Sequence, residues 1–138
     1  MPAEISGRIF LIPSSLGDEG AIAIPAETKQ LVESIGFFVV ENGRSARRFL
    51  RSIGYMKNFD EENLLEVERD EDFKGDEKLL NYLKKGNHAG VISEAGCPGI
   101  ADPGAAVVRW AHQHKIKVVP LVGPSSIFMA LMASGLNG

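Results

Sequence analysis

A single cysteine, Cys97, stands among 138 residues, so no internal disulfide can form. The fold must be held by packing, which suits a reducing compartment. Long apolar runs are also missing. Nothing approaches the ~20 consecutive apolar residues that span a bilayer. The opening MPAEISGRIF lacks a basic region leading into a long apolar run, so no secretory signal is read there. Neither sign of charge dominates: 15 Lys and Arg against 18 Asp and Glu give a net charge of -3. That balance supplies no global attraction for a polyanion and leaves room for a local basic site. These absences exclude a disulfide-stapled secreted module and a membrane span. The expectation is one soluble cytoplasmic domain, long enough to bury a real core.

The common nucleotide fingerprints are absent as well. No G-x-G-x-x-G follows the first apolar run, which argues against a Rossmann dinucleotide site, and no G-x-x-x-x-G-K-[ST] argues against a P-loop. Glu41 ends an apolar run where a ribose-binding acid could stand, but without the glycine fingerprint the match is weak. His88, His112 and His114 lack metal-ligand spacing, and two residues apart on a helix face different sides. They are read as surface histidines, and no metal is expected.

What the chain does contain is an alternation. RIFLIPSS, FFVVE, LLEVE (64–68), HAGVISE and IKVVPLVG are short apolar or β-branched runs of strand type, LLEVE being the weakest. Between and after them lie helical patterns. PAETKQLVESIG opens with Pro25 and Glu27 and closes at Gly36. SARRFLRSIG has Ser45 as a capping residue and Gly54 as a stop. GDEKLLNYLKKG places acids early and lysines late, and PGAAVVRWAHQHK and SSIFMALMASG complete the set. Strands alternating with helices imply right-handed βαβ crossovers. The predicted fold is α/β: a doubly wound, mainly parallel five-stranded sheet with five helices on both faces. The acidic stretch DEENLLEVERDEDFKGDE is read as solvated surface.

In such a sheet, ligands bind beyond the carboxyl ends of the strands. Three segments there are rich in glycine, proline and serine: IPSSLGDEG, SEAGCPGIADPG (93–104) and VGPSS. Glycine lets a ligand approach the backbone, and Pro98, Pro103 and Pro124 stiffen the chain. This rim suits a flat polar ligand such as an adenine nucleoside. Tight βα turns would carry the same composition.

Two of these segments carry a family resemblance. VISEAGCPGIADPG, followed about twenty residues later by VVPLVGPSSIFMALMASGL, resembles the tetrapyrrole methylase superfamily. Within it the chain is most similar to the ribosomal RNA small-subunit methyltransferase I branch, with S-D-A-G-T-P-x-x-x-D-P-G and then P-G-P-S-A-x-x-x-A-L-x-x-S-G-L. GRIFLIPSSLGD is similar to that branch's L-x-x-P-T-P-I-G-N-L, and ENGRSARRFLRSIG to its E-D-T-R-x-T-x-x-L-L. The resemblance implies a two-domain methyltransferase using S-adenosylmethionine (SAM), with 1–138 as its amino-terminal α/β domain and a second domain beyond it. An isolated first domain would be a poor catalyst. Carried over, the cofactor contacts are Gly96, Cys97, Pro98, Ile100, Ala101, Ser125, Ser126 and Ile127. The implied activity is ribose 2′-O-methylation of small-subunit ribosomal RNA, with a homodimer as the family's tendency.

Departures from the pattern fall elsewhere. Asn42 and Gly43 stand where an acid and a hydroxyl are usual, Glu94 replaces an aspartate, and SSLGDEG replaces T-P-I-G-N-L. They leave the cofactor segments recognisable and bear on the acceptor side. Glu41 and Arg44 are the candidates for acceptor-side roles.

Arg44, Arg47, Arg48 and Arg51 recur at helical spacing, with Ala46, Phe49, Leu50 and Ile53 on the other sides. This stripe is either a contact for the RNA backbone, since guanidinium matches phosphate, or a solvated amphipathic face. Cys97 has no histidine in motif relation to it and is read as lining rather than a nucleophile. Trp110 and the stripe Phe128, Met129, Leu131, Met132 are read as core or interdomain packing. Two other functions stay open: C-methylation of a tetrapyrrole, disfavoured by the missing G-x-G-P-G after the first strand, and a non-catalytic SAM-binding or regulatory module.

Overall fold

A computed structural model describes residues 4–14, 24–58, 63–92, 104–121 and 132–135. Five strands are present: β1 (Arg8–Ile12), β2 (Phe37–Val40), β3 (Leu64–Glu66), β4 (Ala89–Ile92) and β5 (Lys117–Pro120). They alternate with the helices α1 (Ala26–Val32), α2 (Gly43–Ser52), α3 (Glu77–Lys84) and α4 (Gly104–Gln113). The sheet order is β3-β2-β4-β1-β5, and every pairing is parallel. The doubly wound α/β fold is therefore as expected. Of the fifth helix, read over 125–135, Met132–Ser134 are helical and 125–131 lie outside the described residues.

Strand periodicity divides the core. Ile9, Phe37, Val39, Ala89 and Val91 pack with Leu79 and Leu83 of α3 and Val107, Trp110 and Ala111 of α4. Their neighbours Phe10, Ile12, Phe38, Val40 and Ile92 pack with Val32 of α1 and Ala46, Phe49 and Leu50 of α2. Successive side chains of a strand project to opposite faces, so runs such as FFVV feed both layers. β1 and β2 lead into helices on one face, and β3 and β4 into helices on the other. That is what right-handed crossovers require when the chain first moves one way along the sheet and then back.

Helix ends follow local chemistry. Asp76 caps α3, its Oδ1 accepting from the Leu79 N–H at 2.8 Å, and Lys84 sits in the last turn. α2 corrects an expectation: its cap is Asn42, whose Oδ1 accepts from the Ser45 N–H at 3.0 Å. Ser45 is thus the donor and lies inside the helix. The strands are shorter than the apolar runs, and α1 ends at Val32, with Glu33–Gly36 forming the turn into β2.

The acidic stretch is also more than solvated surface. It contains edge strand β3 and a 3₁₀ turn at Asp70–Asp72, and it buries Val67 and Phe73. Phe73 meets Trp110 edge-to-face, with ring centroids 5.6 Å apart. An aromatic pair anchors the otherwise charged connection to α4. Trp110 is core, as read.

Candidate functional site

The carboxyl edge of the sheet is organised around its central strand. β4 leads to the α3/α4 face, whereas both neighbours, β1 and β2, lead to the α1/α2 face. Departure of adjacent strands to opposite faces opens a crevice, where α/β proteins bind ligands. Gly96, Cys97, Pro98, Ile100 and Ala101 follow β4 in the chain, and Ser125, Ser126 and Ile127 follow β5. All eight lie outside the described residues.

Glu41 and Arg44 are placed on this edge by β2 and the start of α2. The Glu41 N–H donates to the Ile92 carbonyl at 3.3 Å, tying the end of β2 to the end of β4. Glu41 is half-buried and Arg44 is exposed one residue inside the helix. Between them, the Gly43 N–H donates to Glu66 Oε2 at 3.0 Å. A carboxylate from β3 thus satisfies an orphan donor at the positive end of α2. Glycine permits this approach, because a Cβ at position 43 would lie 3.0 Å from that oxygen.

Glu66 was not among the residues marked in the sequence. Its approach depends on the register Val40↔Glu66 between strands 23 positions and more apart, which no local pattern records.

The arginine stripe takes the form its spacing implies. Arg44, Arg47, Arg48 and Arg51 are exposed, while Ala46, Phe49, Leu50 and Ile53 are buried. Arg51 is partly committed, its Nη1 donating to the Tyr55 carbonyl at 2.6 Å. The Tyr55 hydroxyl donates to the Ile35 carbonyl at 2.8 Å, which pins the end of α2 to the turn after α1. Burial pushes the Tyr55 phenol above its usual range, Tyr82 adds to this, and Arg51 opposes it.

Ser14, two residues beyond β1, is 2% exposed. Among the described residues its Oγ stands alone as a buried side-chain polar atom without a hydrogen-bond partner. Leaving a hydroxyl in that state costs on the order of 1–3 kcal/mol by mutational measures. Apolar residues would be cheaper at this position.

The histidines are engaged in packing. His88 is half-buried rather than a surface residue: its Nδ1 accepts from the Arg8 N–H at 3.0 Å, and its ring meets Phe10 edge-to-face. His114 is exposed, and its Nδ1 lies 2.9 Å from the Trp110 carbonyl. A separate cavity of about 300 Å³ lies beside β3, lined by Glu66, Glu68, Asp72 and Asp76 together with Leu65, Val67, Phe73 and Gly75. Four carboxylates repel phosphate, so this cavity does not suit a nucleic acid. No helix among the described residues is long and apolar enough to cross a membrane.

With the edge laid out, comparison with known proteins places the chain. It is 31% identical over 130 residues to a ribosomal RNA small subunit methyltransferase I of Buchnera aphidicola subsp. Acyrthosiphon pisum, covering 94% of this chain and 44% of that protein. The chain is related to that branch. A protein of the same name from Vibrio cholerae serotype O1 is 30% identical over 128 residues, 93% of this chain and 42% of its own length. That of Escherichia coli O157:H7 is 28% identical over 130 residues, 94% of this chain and 43% of its own. The chain spans less than half the length of these three relatives. No family model matches it. The resemblance read from the motifs is borne out by similarity extending along nearly the whole chain.

Proposed function

We propose that this chain is the amino-terminal α/β domain of a SAM-dependent methyltransferase that modifies a ribose 2′-hydroxyl in small-subunit ribosomal RNA. The observation that carries the reading is the similarity to curated methyltransferase I proteins along 94% of the chain. The doubly wound sheet supports it, because the segments resembling the family's cofactor motifs follow β4 and β5, at the edge where such folds bind ligands. An unpartnered buried hydroxyl on the same edge, Ser14 Oγ, fits a polar ligand there.

SAM, when bound, supplies an electrophilic methyl group on its sulfonium, which the ribose oxygen displaces. Gly96, Cys97, Pro98, Ile100 and Ala101, with Ser125, Ser126 and Ile127, would hold it mainly through backbone groups. Glu41 is the acceptor-side carboxylate proposed to take the hydroxyl proton, directly or through water. Arg44, Arg47 and Arg48 would neutralise RNA phosphates and set the register of the substrate. Arg51 contributes less, since part of its guanidinium is spent on the Tyr55 carbonyl. A homodimer and a cytoplasmic setting accompany this reading.

A second reading, a non-catalytic SAM-binding module, draws on Asn42. Its side chain is occupied in capping α2, at the position where the resemblance places an acid. Incubating the protein with methyl-labelled SAM and small ribosomal subunits lacking ribose methylation tests both. Label recovered in a 2′-O-methyl nucleoside is the expected result. SAM binding without transfer supports the module, and label in a tetrapyrrole or a base overturns the ribose assignment.

A further inference from the structure

Ser14 stands where the two proposed cofactor segments are rooted. In the sheet β1 lies between β4 and β5, with Ile12 paired to Ile92 on one side and Leu11 to Pro120 on the other. The segments proposed to hold SAM follow those two flanking strands. Ser14, two residues past the end of β1, therefore occupies the strand between them, and it came from none of the motifs that suggested the site. Its neighbour Pro13 is fully buried and has no N–H to offer, and the preceding Ile12 is fully buried too. In this apolar setting the fold gains nothing from a hydroxyl that makes no hydrogen bond. A retained, buried and unpartnered polar atom on a ligand-binding edge is accounted for by a ligand that pairs with it.

We infer that Ser14 is a SAM-binding residue, its hydroxyl hydrogen-bonding the nucleoside moiety from the floor of the crevice between β4 and β5. A serine hydroxyl both donates and accepts, and it carries no charge. It therefore matches the neutral polar atoms of an adenine nucleoside better than a phosphate, which calls for the cationic or backbone donors found elsewhere on this edge. The inference rests on the proposed SAM-dependent function and adds a contact from a third strand.

The test compares the wild-type protein with Ser14→Ala and Ser14→Cys, the latter keeping the volume while weakening the hydrogen bond. Affinity for SAM and for S-adenosylhomocysteine is measured by isothermal titration calorimetry, and the unliganded melting midpoint by thermal denaturation. Both variants are expected to bind about tenfold more weakly, with an unliganded midpoint equal to or above that of the wild type. Should S14A fail to fold, S14C carries the comparison. Wild-type affinity retained in the folded variants overturns the role of Ser14 and leaves the cofactor reading standing. A lowered unliganded midpoint with unchanged affinity does the same and shows a structural hydroxyl. Failure of the wild-type protein itself to bind either probe overturns the cofactor reading, and the Ser14 assignment with it.

Discussion

Tyr55 does two jobs at once: its ring packs edge-to-face on Phe38, with centroids 5.4 Å apart, and its hydroxyl ties α2 to the carbonyl of Ile35. Replacing it with phenylalanine keeps the packing and leaves that carbonyl unpaired. Tyr55→Phe should cost roughly 0.5–1.5 kcal/mol at neutral pH, read as a shift in urea midpoint at constant slope. The same variant has a distinct alkaline signature. Because burial raises the phenol's pKa in the folded protein, both states are neutral below the unfolded value of about 10. Above it the unfolded chain ionises first, so stability falls as pH rises through about 10 toward the folded value. Tyr55→Phe should shrink that loss without abolishing it, since the Tyr82 phenol is also raised by burial. An identical alkaline decline in both proteins would contradict the assignment. Gly90 is a second sensitive residue, set by space rather than by hydrogen bonding. A Cβ there would lie 2.5 Å from Ile12 Cδ1 and 3.2 Å from Phe38 Cδ1. Gly90→Ala in the central strand should destabilise by about 1–3 kcal/mol through overpacking, measured in the same urea titration.

At the scale of an element, α2 joins stability and the proposed function. Its buried face and arginine stripe were legible because helical periodicity is local, recorded in the spacing of Ala46, Phe49 and Leu50 against Arg44, Arg47 and Arg48. Its start was not. Asn42 and Ser45 are both good capping residues, and local chemistry does not choose between them. The choice is made by β3, whose Glu66 reaches the Gly43 N–H only if the helix begins there. Phe73 and Val67 were hidden for a related reason. Each is an isolated apolar residue among charges, and their burial follows from the placement of α4 across the chain. Asn42→Ala should cost about 1 kcal/mol while Asn42→Asp retains the cap, which thermal melts of the two variants would separate. Charge reversal at Arg47 and Arg48 leaves the apolar face untouched. If α2 meets the RNA backbone, the double variant should bind small-subunit RNA more weakly, with a salt slope smaller by about 0.7–0.9 per lost phosphate contact. An unchanged slope would leave the stripe as solvated surface.

For the whole molecule, the alternation of short strands and helices was enough to foresee a parallel sheet, but it did not contain the strand order. β4 is central because the chain reverses direction after β3, and that reversal brings the ends of β1, β2 and β4 together. The contributions of Ser14 and Glu66 are products of that order, which explains why motif spacing pointed to the β4 and β5 segments and missed both. The same order makes the sheet a partition between two nearly independent cores. Ile35 is fully buried against α1 and α2 on one face, and Ile116 is 2% exposed against α3 and α4 on the other. No residue belongs to both clusters. Ile35→Val and Ile116→Val should each cost about 0.5–1.5 kcal/mol, the usual range for removing one buried methylene. Sites without shared partners add, so the double variant should lose the sum of the two within about 0.5 kcal/mol. Urea unfolding of the four proteins measures this directly. Coupling well above that limit would mean that strain passes through the strands from one layer to the other, and the two faces would then have to be treated as one core.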